Sequence, residues 1–119
     1  MPVRYEIDRS RRLIVTTGEG CVTFPEMKDH QIRLLADPAF DPSFSQLIDV
    51  TKVTKLEVTV EQARIMVSRR VSARRAFVAT EPFIFGMGRL MEAYHQSQFS
   101  DVDTGVFYDL ESAMAWLAR

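Results

Sequence analysis

Val3, Tyr5 and Ile7 alternate with Arg4, Glu6 and Asp8, and this period of two predicts a half-exposed strand. Asp8-Arg9-Ser10-Arg11 reads as a turn, and the β-branched run from Leu13 to Thr17 as a second strand completing an antiparallel hairpin. Gly18-Glu19-Gly20 is expected to stop the sheet. Thr23-Phe24-Pro25-Glu26 then has the spacing of a capping box, in which the threonine hydroxyl takes a free backbone N–H and the glutamate reaches back. Phe24, Met27, Leu34 and Leu35 supply the apolar face of the helix that follows. Asp37-Pro38 ends it, because the residue before a proline is pushed out of the α region.

The pattern repeats along the rest of the chain. Phe44 to Val50 predicts a strand, and Thr51 to Val58 a connection. Thr59-Val60-Glu61-Gln62 is a second capping box, with Val60, Ala63, Met66 and Val67 at helical spacing. Arg75 to Ala79 reads as a short strand buried on both faces. Glu81-Pro82 opens a third helix, with Phe83, Met87, Leu90, Met91 and Tyr94 on one face. Val102 to Tyr108 is the last strand. Asp109 caps a last helix whose Leu110, Ala113, Met114 and Leu117 form the cleanest stripe in the chain. The order β-β-α-β-α-β-α-β-α predicts an α/β domain with a mixed sheet: parallel through right-handed crossovers, with the opening hairpin antiparallel.

Composition narrows the class. The 119 residues carry a net charge of -1, with 46% hydrophobic and 26% charged residues, which suits one globular domain over residues 1–119. A lone cysteine cannot close an intramolecular disulfide, so a reducing, cytoplasmic setting is expected. The balanced charge argues against a general nucleic-acid binder. The start of the sequence has no signal-peptide pattern. Its longest apolar run, around Phe83 to Met91, is broken by Gly86, Gly88 and Arg89, so no transmembrane segment is expected.

Several residues invite a chemical reading, each with a plainer alternative. Cys21 with His30 or His95 has the residue types of a nucleophile and base, but no spacing brings them together. The plainer Cys21 is a small half-buried residue where a strand meets a helix. Glu92 and His95 share a helix face, as metal ligands do in carboxylate bundles, yet the α/β pattern supplies no further carboxylates and a surface ion pair or hydrogen bond suffices. Gly18-Glu19-Gly20 lacks the rest of any phosphate-binding motif and reads as a tight turn. Arg69, Arg70, Arg74 and Arg75 cluster, as do Arg9, Arg11 and Arg12. Either group is an anion site or a solvated turn with carboxylate partners. Phe85-Gly86-Met87-Gly88-Arg89 places two glycines in one helical turn, each costing about 1 kcal/mol against alanine. Close approach by a backbone, a helix, a second subunit or a ligand would account for them, with Arg89 beside it for an anion. Thr51, Thr54 and Thr59 stand before a helix start, where a phosphoryl group is favoured. Otherwise Thr59 is an N-cap and the others satisfy a loop.

Tyr5-Glu6-Ile7-Asp8, Leu47-Ile48-Asp49-Val50-Thr51 with Val53-Thr54, Arg75-Ala76-Phe77-Val78-Ala79, Phe85-Gly86-Met87-Gly88-Arg89 through Glu92-Ala93-Tyr94, Val106-Phe107 and Ala113-Met114-Ala115-Trp116-Leu117 follow one another in an order and spacing that resemble the SpoIIAA-like, or STAS/SEC14-domain, family of small bacterial proteins. The resemblance runs nearly end to end and implies a SpoIIAA-like fold. STAS domains resembling anti-sigma-factor antagonists bind a kinase partner and are switched at a serine in a D-S-S-G-like motif. Here that stretch is Glu57-Val58-Thr59-Val60, with Val58 at the serine position and no glycine. SEC14 domains hold a lipid in an apolar pocket, but are longer and carry a gate helix with no counterpart here.

The reading that follows is a non-enzymatic regulatory or protein-interaction module, expected to form a homo-oligomer (a dimer), without cofactor or metal. Its expected interaction or ligand surface comprises Thr51, Thr54, Thr59, Arg75, Phe85, Gly86, Met87, Gly88 and Arg89. The alternative is a small carrier or sensor for an apolar or acidic ligand, with a pocket lined by Phe83 and Met87 and with Arg89 or Arg75 at its mouth. An enzyme of unknown reaction is the third reading.

Overall fold

The computed structural model describes residues 2–66, 74–98 and 103–119. The elements follow the predicted order: β1 (Val3–Asp8), β2 (Leu13–Thr23), α1 (Phe24–Ala36), β3 (Ser45–Glu57), α2 (Val60–Met66), β4 (Arg74–Val78), α3 (Pro82–Gln98), β5 (Asp103–Phe107) and α4 (Leu110–Leu117). The five strands lie in the sheet in sequence order, β1-β2-β3-β4-β5. β1 pairs antiparallel with β2, and every later neighbour pairs parallel. Steps always taken in one direction, with right-handed crossovers, put all the connecting helices on the same face. α1, α2 and α3 accordingly cover one face, around Ile48, Ala63, Met66, Phe77, Met87 and Met91. The chain then turns under β5, and α4 packs Ala113 onto Leu13, Leu47, Ala76 and Val78 on the other face.

The local signals in the sequence account for the helix ends. Thr23 Oγ1 accepts from Glu26 N, and Glu26 Oε1 accepts from Thr23 N at 3.0 Å, which is a complete capping box. Thr59 and Gln62 form the same reciprocal pair at 3.0 and 3.1 Å. Asp109 accepts from Ser112 N at 2.7 Å and starts α4. α1 stops at Asp37, whose backbone is extended before Pro38.

Three expectations need correction. Gly18-Glu19-Gly20 does not end the sheet, because β2 runs through it to Thr23, and Thr51 to Glu57 is not a connection but the second half of β3. The two segments pair with each other through irregularities. The register runs from Thr17/Asp49 to Glu19/Lys52 and from Gly20/Val53 to Cys21/Lys55, so β3 holds one extra residue at each place. Gly20 takes φ 69° at the second, a conformation that favours glycine. Finally, Phe83 is 58% exposed and Leu110 44% exposed. Ile84 rather than Phe83 is the buried residue in the first turn of α3.

Candidate functional site

A cavity of about 100 Å³ lies between the sheet and the helices α1–α3. Its floor comes from the inward positions of the strands, and its roof is rich in methionine: Met27, Met66, Met87 and Met91. The irregularities in β3 shape the floor. Ile48 and Val50 face inward two residues apart, but Val53 and Leu56 follow at steps of three, and the extra residue at each bulge brings both to the cavity wall. Gly18 lies close opposite them, since a Cβ there would lie 3.1 Å from Val53 Cγ2.

One end of the cavity is polar. Gln46 on β3 pairs with Arg75 on β4, and Arg75 with Thr104 on β5. Gln46 Nε2 donates to Thr16 Oγ1 at 2.9 Å, and Thr16 Oγ1 lies 3.2 Å from His30 Nε2 of α1. Gln31 Nε2 donates to the Met66 carbonyl at 3.2 Å and ties α1 to α2. On the far side His95 Nδ1 lies 3.0 Å from Thr104 Oγ1. Burial pushes the His30 pKa down to about 4, aided by the Arg33 and Arg75 charges, so the ring is neutral at pH 7.

Arg75 is the unusual member. It is only 6% exposed, and burial lowers its pKa to about 10, so it stays charged at neutral pH. Its guanidinium sits 5.4 Å from the centre of the Phe77 ring, and among the described residues no carboxylate pairs with it. Among the described residues its Nε has no hydrogen-bond partner, and neither does Gln46 Oε1. A buried cation without a counter-charge is costly, which makes this the most electrostatically demanding point in the described chain.

The expected site residues separate. Arg75, Met87 and Gly88 meet on the cavity wall. The Gly88 backbone approaches the sheet closely, since a Cβ there would lie 3.4 Å from Val106. Phe85 is half-buried and stacks on Tyr108 with centroids 4.0 Å apart. Gly86 faces open space, and exposed Arg89 lies 3.5 Å from Glu92, away from the lining, so only Arg75 of the two arginines belongs to the cavity. Thr51 sits at the first bulge with its hydroxyl on Asp49 at 2.7 Å, Thr54 is exposed at the second, and Thr59 caps α2. Phe83 does not line the cavity. Arg75 is not in a solvated turn, and Arg74 contacts Asp103 at 3.7 Å and lies over Trp116. Arg69 and Arg70 fall outside the described residues. Cys21 is exposed on β2, whereas both histidines are buried against threonines. Reading the sequence missed Thr16, Gln31 and Gln46, and considered His30 as a base for Cys21 and not as part of this cavity. The available signal was a polar residue at an inward position of an apolar strand, as Gln46 is between Phe44 and Leu47.

No protein-family model matches the chain, and neither does any curated protein. Among solved structures the chain is similar to an uncharacterized protein of the DUF3478 family with a SpoIIAA-like fold from Shewanella loihica PV-4. The two share 16% identity with a TM-score of 0.65, over 97% of this chain and 93% of that one. The fold is therefore SpoIIAA-like, as the order of motifs implies. Among the described residues no helix is long and apolar enough to cross a membrane.

Proposed function

We propose that the domain is a small-molecule carrier or sensor that takes an apolar ligand into the cavity beneath α1, α2 and α3. The observation that carries this reading is the lining itself: an apolar cavity of about 100 Å³ roofed by Met27, Met66, Met87 and Met91. Unbranched, polarizable methionines repack around ligands of different shapes at low cost. An engineered apolar cavity of about 150 Å³ holds benzene, so the volume here is of the right order for a small organic molecule.

Methionine-methyl NMR tests the reading. Toluene is expected to shift the resonances of those four methionines and leave Met114, which packs with α4 on the opposite face, in place. Unchanged spectra, or equal shifts at Met114, would end the proposal.

A regulatory role is favoured by a second observation. α3 lines the cavity with Ile84, Met87 and Met91, and its first turn also carries exposed Phe83 and the Phe85–Tyr108 stack. One helix thus joins the cavity to an exposed aromatic surface, where a protein partner or a second copy would read its state. Size-exclusion chromatography with light scattering, with and without toluene, tests this. A ligand-dependent change in assembly supports it, and an unchanged monomer argues against the second copy.

A further inference from the structure

The cavity's polar end specifies more than an apolar occupant. Arg75 Nε and Gln46 Oε1 are both buried without a partner among the described residues, and their side chains come from directly paired residues on neighbouring parallel strands. Such strands lie roughly 4.8 Å apart, so the two side chains are within reach of one small polar group. One atom is a donor on a full positive charge, and the other is a carbonyl acceptor. Thr16 does not satisfy this acceptor, because it receives the other end of the same amide. His30 supplies no compensating charge, since it is neutral and bonded to Thr16. A buried guanidinium calls for one negative charge, and a buried carbonyl for one O–H or N–H. A phosphate dianion would leave a surplus charge in an apolar enclosure, and an ammonium group would add to the repulsion.

We propose that the ligand is a small aliphatic α-hydroxy monocarboxylate, its carboxylate on Arg75 and its hydroxyl donating to Gln46. This rests on the cavity reading above and adds its chemical class. Scaled from the benzene-sized cavity, about 100 Å³ holds roughly four heavy atoms, so the flexible Met66, Met87 and Met91 repack to admit the aliphatic body beyond the polar head.

Three probes of one shape test the assignment by methionine-methyl titration: isoamyl alcohol, isovalerate and α-hydroxyisovalerate. Isovalerate is expected to bind about tenfold more tightly than the alcohol, as a charge-assisted hydrogen bond requires. The hydroxy acid should gain about threefold more, the worth of a neutral hydrogen bond. Arg75→Met should bind the alcohol and lose the preference for acids. Equal affinities for isovalerate and the alcohol, or an acid preference kept by Arg75→Met, would overturn the anchor. Equal affinities for the two acids would overturn the hydroxyl contact. Should Arg75→Met not fold, the three probes on the unaltered chain decide. Alcohol binding without acid preference refutes only the ligand class, whereas no response to any probe or to toluene refutes the cavity reading itself.

Discussion

Thr16 Oγ1 lies 3.2 Å from His30 Nε2, a buried polar contact between the sheet floor and α1. Burial is the main reason that the His30 pKa falls from 6.5 to about 4. As the pH drops below 6.5, the unfolded chain takes up a proton that the folded chain refuses. Stability is therefore full above pH 6.5, declines down to about pH 4 and falls no further from this cause. The shift corresponds to about 3 kcal/mol. Urea unfolding at several pH values should show this slope, and His30→Gln should flatten it. An unchanged slope in the variant would place the pH dependence elsewhere.

Arg75→Met should stabilise the ligand-free chain. Replacing a buried cation that no described carboxylate pairs with by an apolar side chain of similar reach removes a desolvation cost of several kcal/mol, while the lost contact with Phe77 is worth about 1 kcal/mol. A net gain of about 2 kcal/mol in urea unfolding is expected. A loss of stability would mean that the guanidinium is already satisfied.

The two glycines of α3 should respond oppositely. A Cβ at Gly86 meets nothing within 4 Å, so Gly86→Ala should stabilise by about 1 kcal/mol through helix propensity alone. At Gly88, already close to Val106 and Phe77, a leucine should cost about 1–3 kcal/mol by overpacking. Thermal unfolding of both variants checks the pair.

Thr59→Ala should cost about 1 kcal/mol, because the hydroxyl takes the Gln62 N–H at the start of α2. Toluene-induced shifts at Met87 and Met91 should be unaffected, since neither residue touches this cap. Unchanged stability in urea would contradict the capping role.

Much of the fold was legible in short stretches of sequence. Thr23 with Glu26, Thr59 with Gln62, and Asp37 before Pro38 act over three or four residues, and the structure keeps each of them. The second half of β3 was not legible, because its two bulges break the period of two that identifies a strand. The site was less legible still. Arg75, Met87 and Gly88 stood out by residue type, but Gln46, Thr16 and His30 join them only through pairing between strands and packing of α1. Arg89 and Phe83 show the limit from the other side: both lie near Met87 in sequence, yet α3 carries them away from the cavity.

The sheet order β1-β2-β3-β4-β5 repeats the order of the chain. Every strand therefore pairs with its predecessor, and no strand must wait for a distant segment to be inserted beside it. This keeps loop closures short for a largely parallel sheet and favours fast folding. The sheet can grow by one strand at a time from the β1–β2 hairpin as the polypeptide leaves the ribosome, with each new edge ready for the next arrival. The last helix, α4, then seals the face that the other three leave bare.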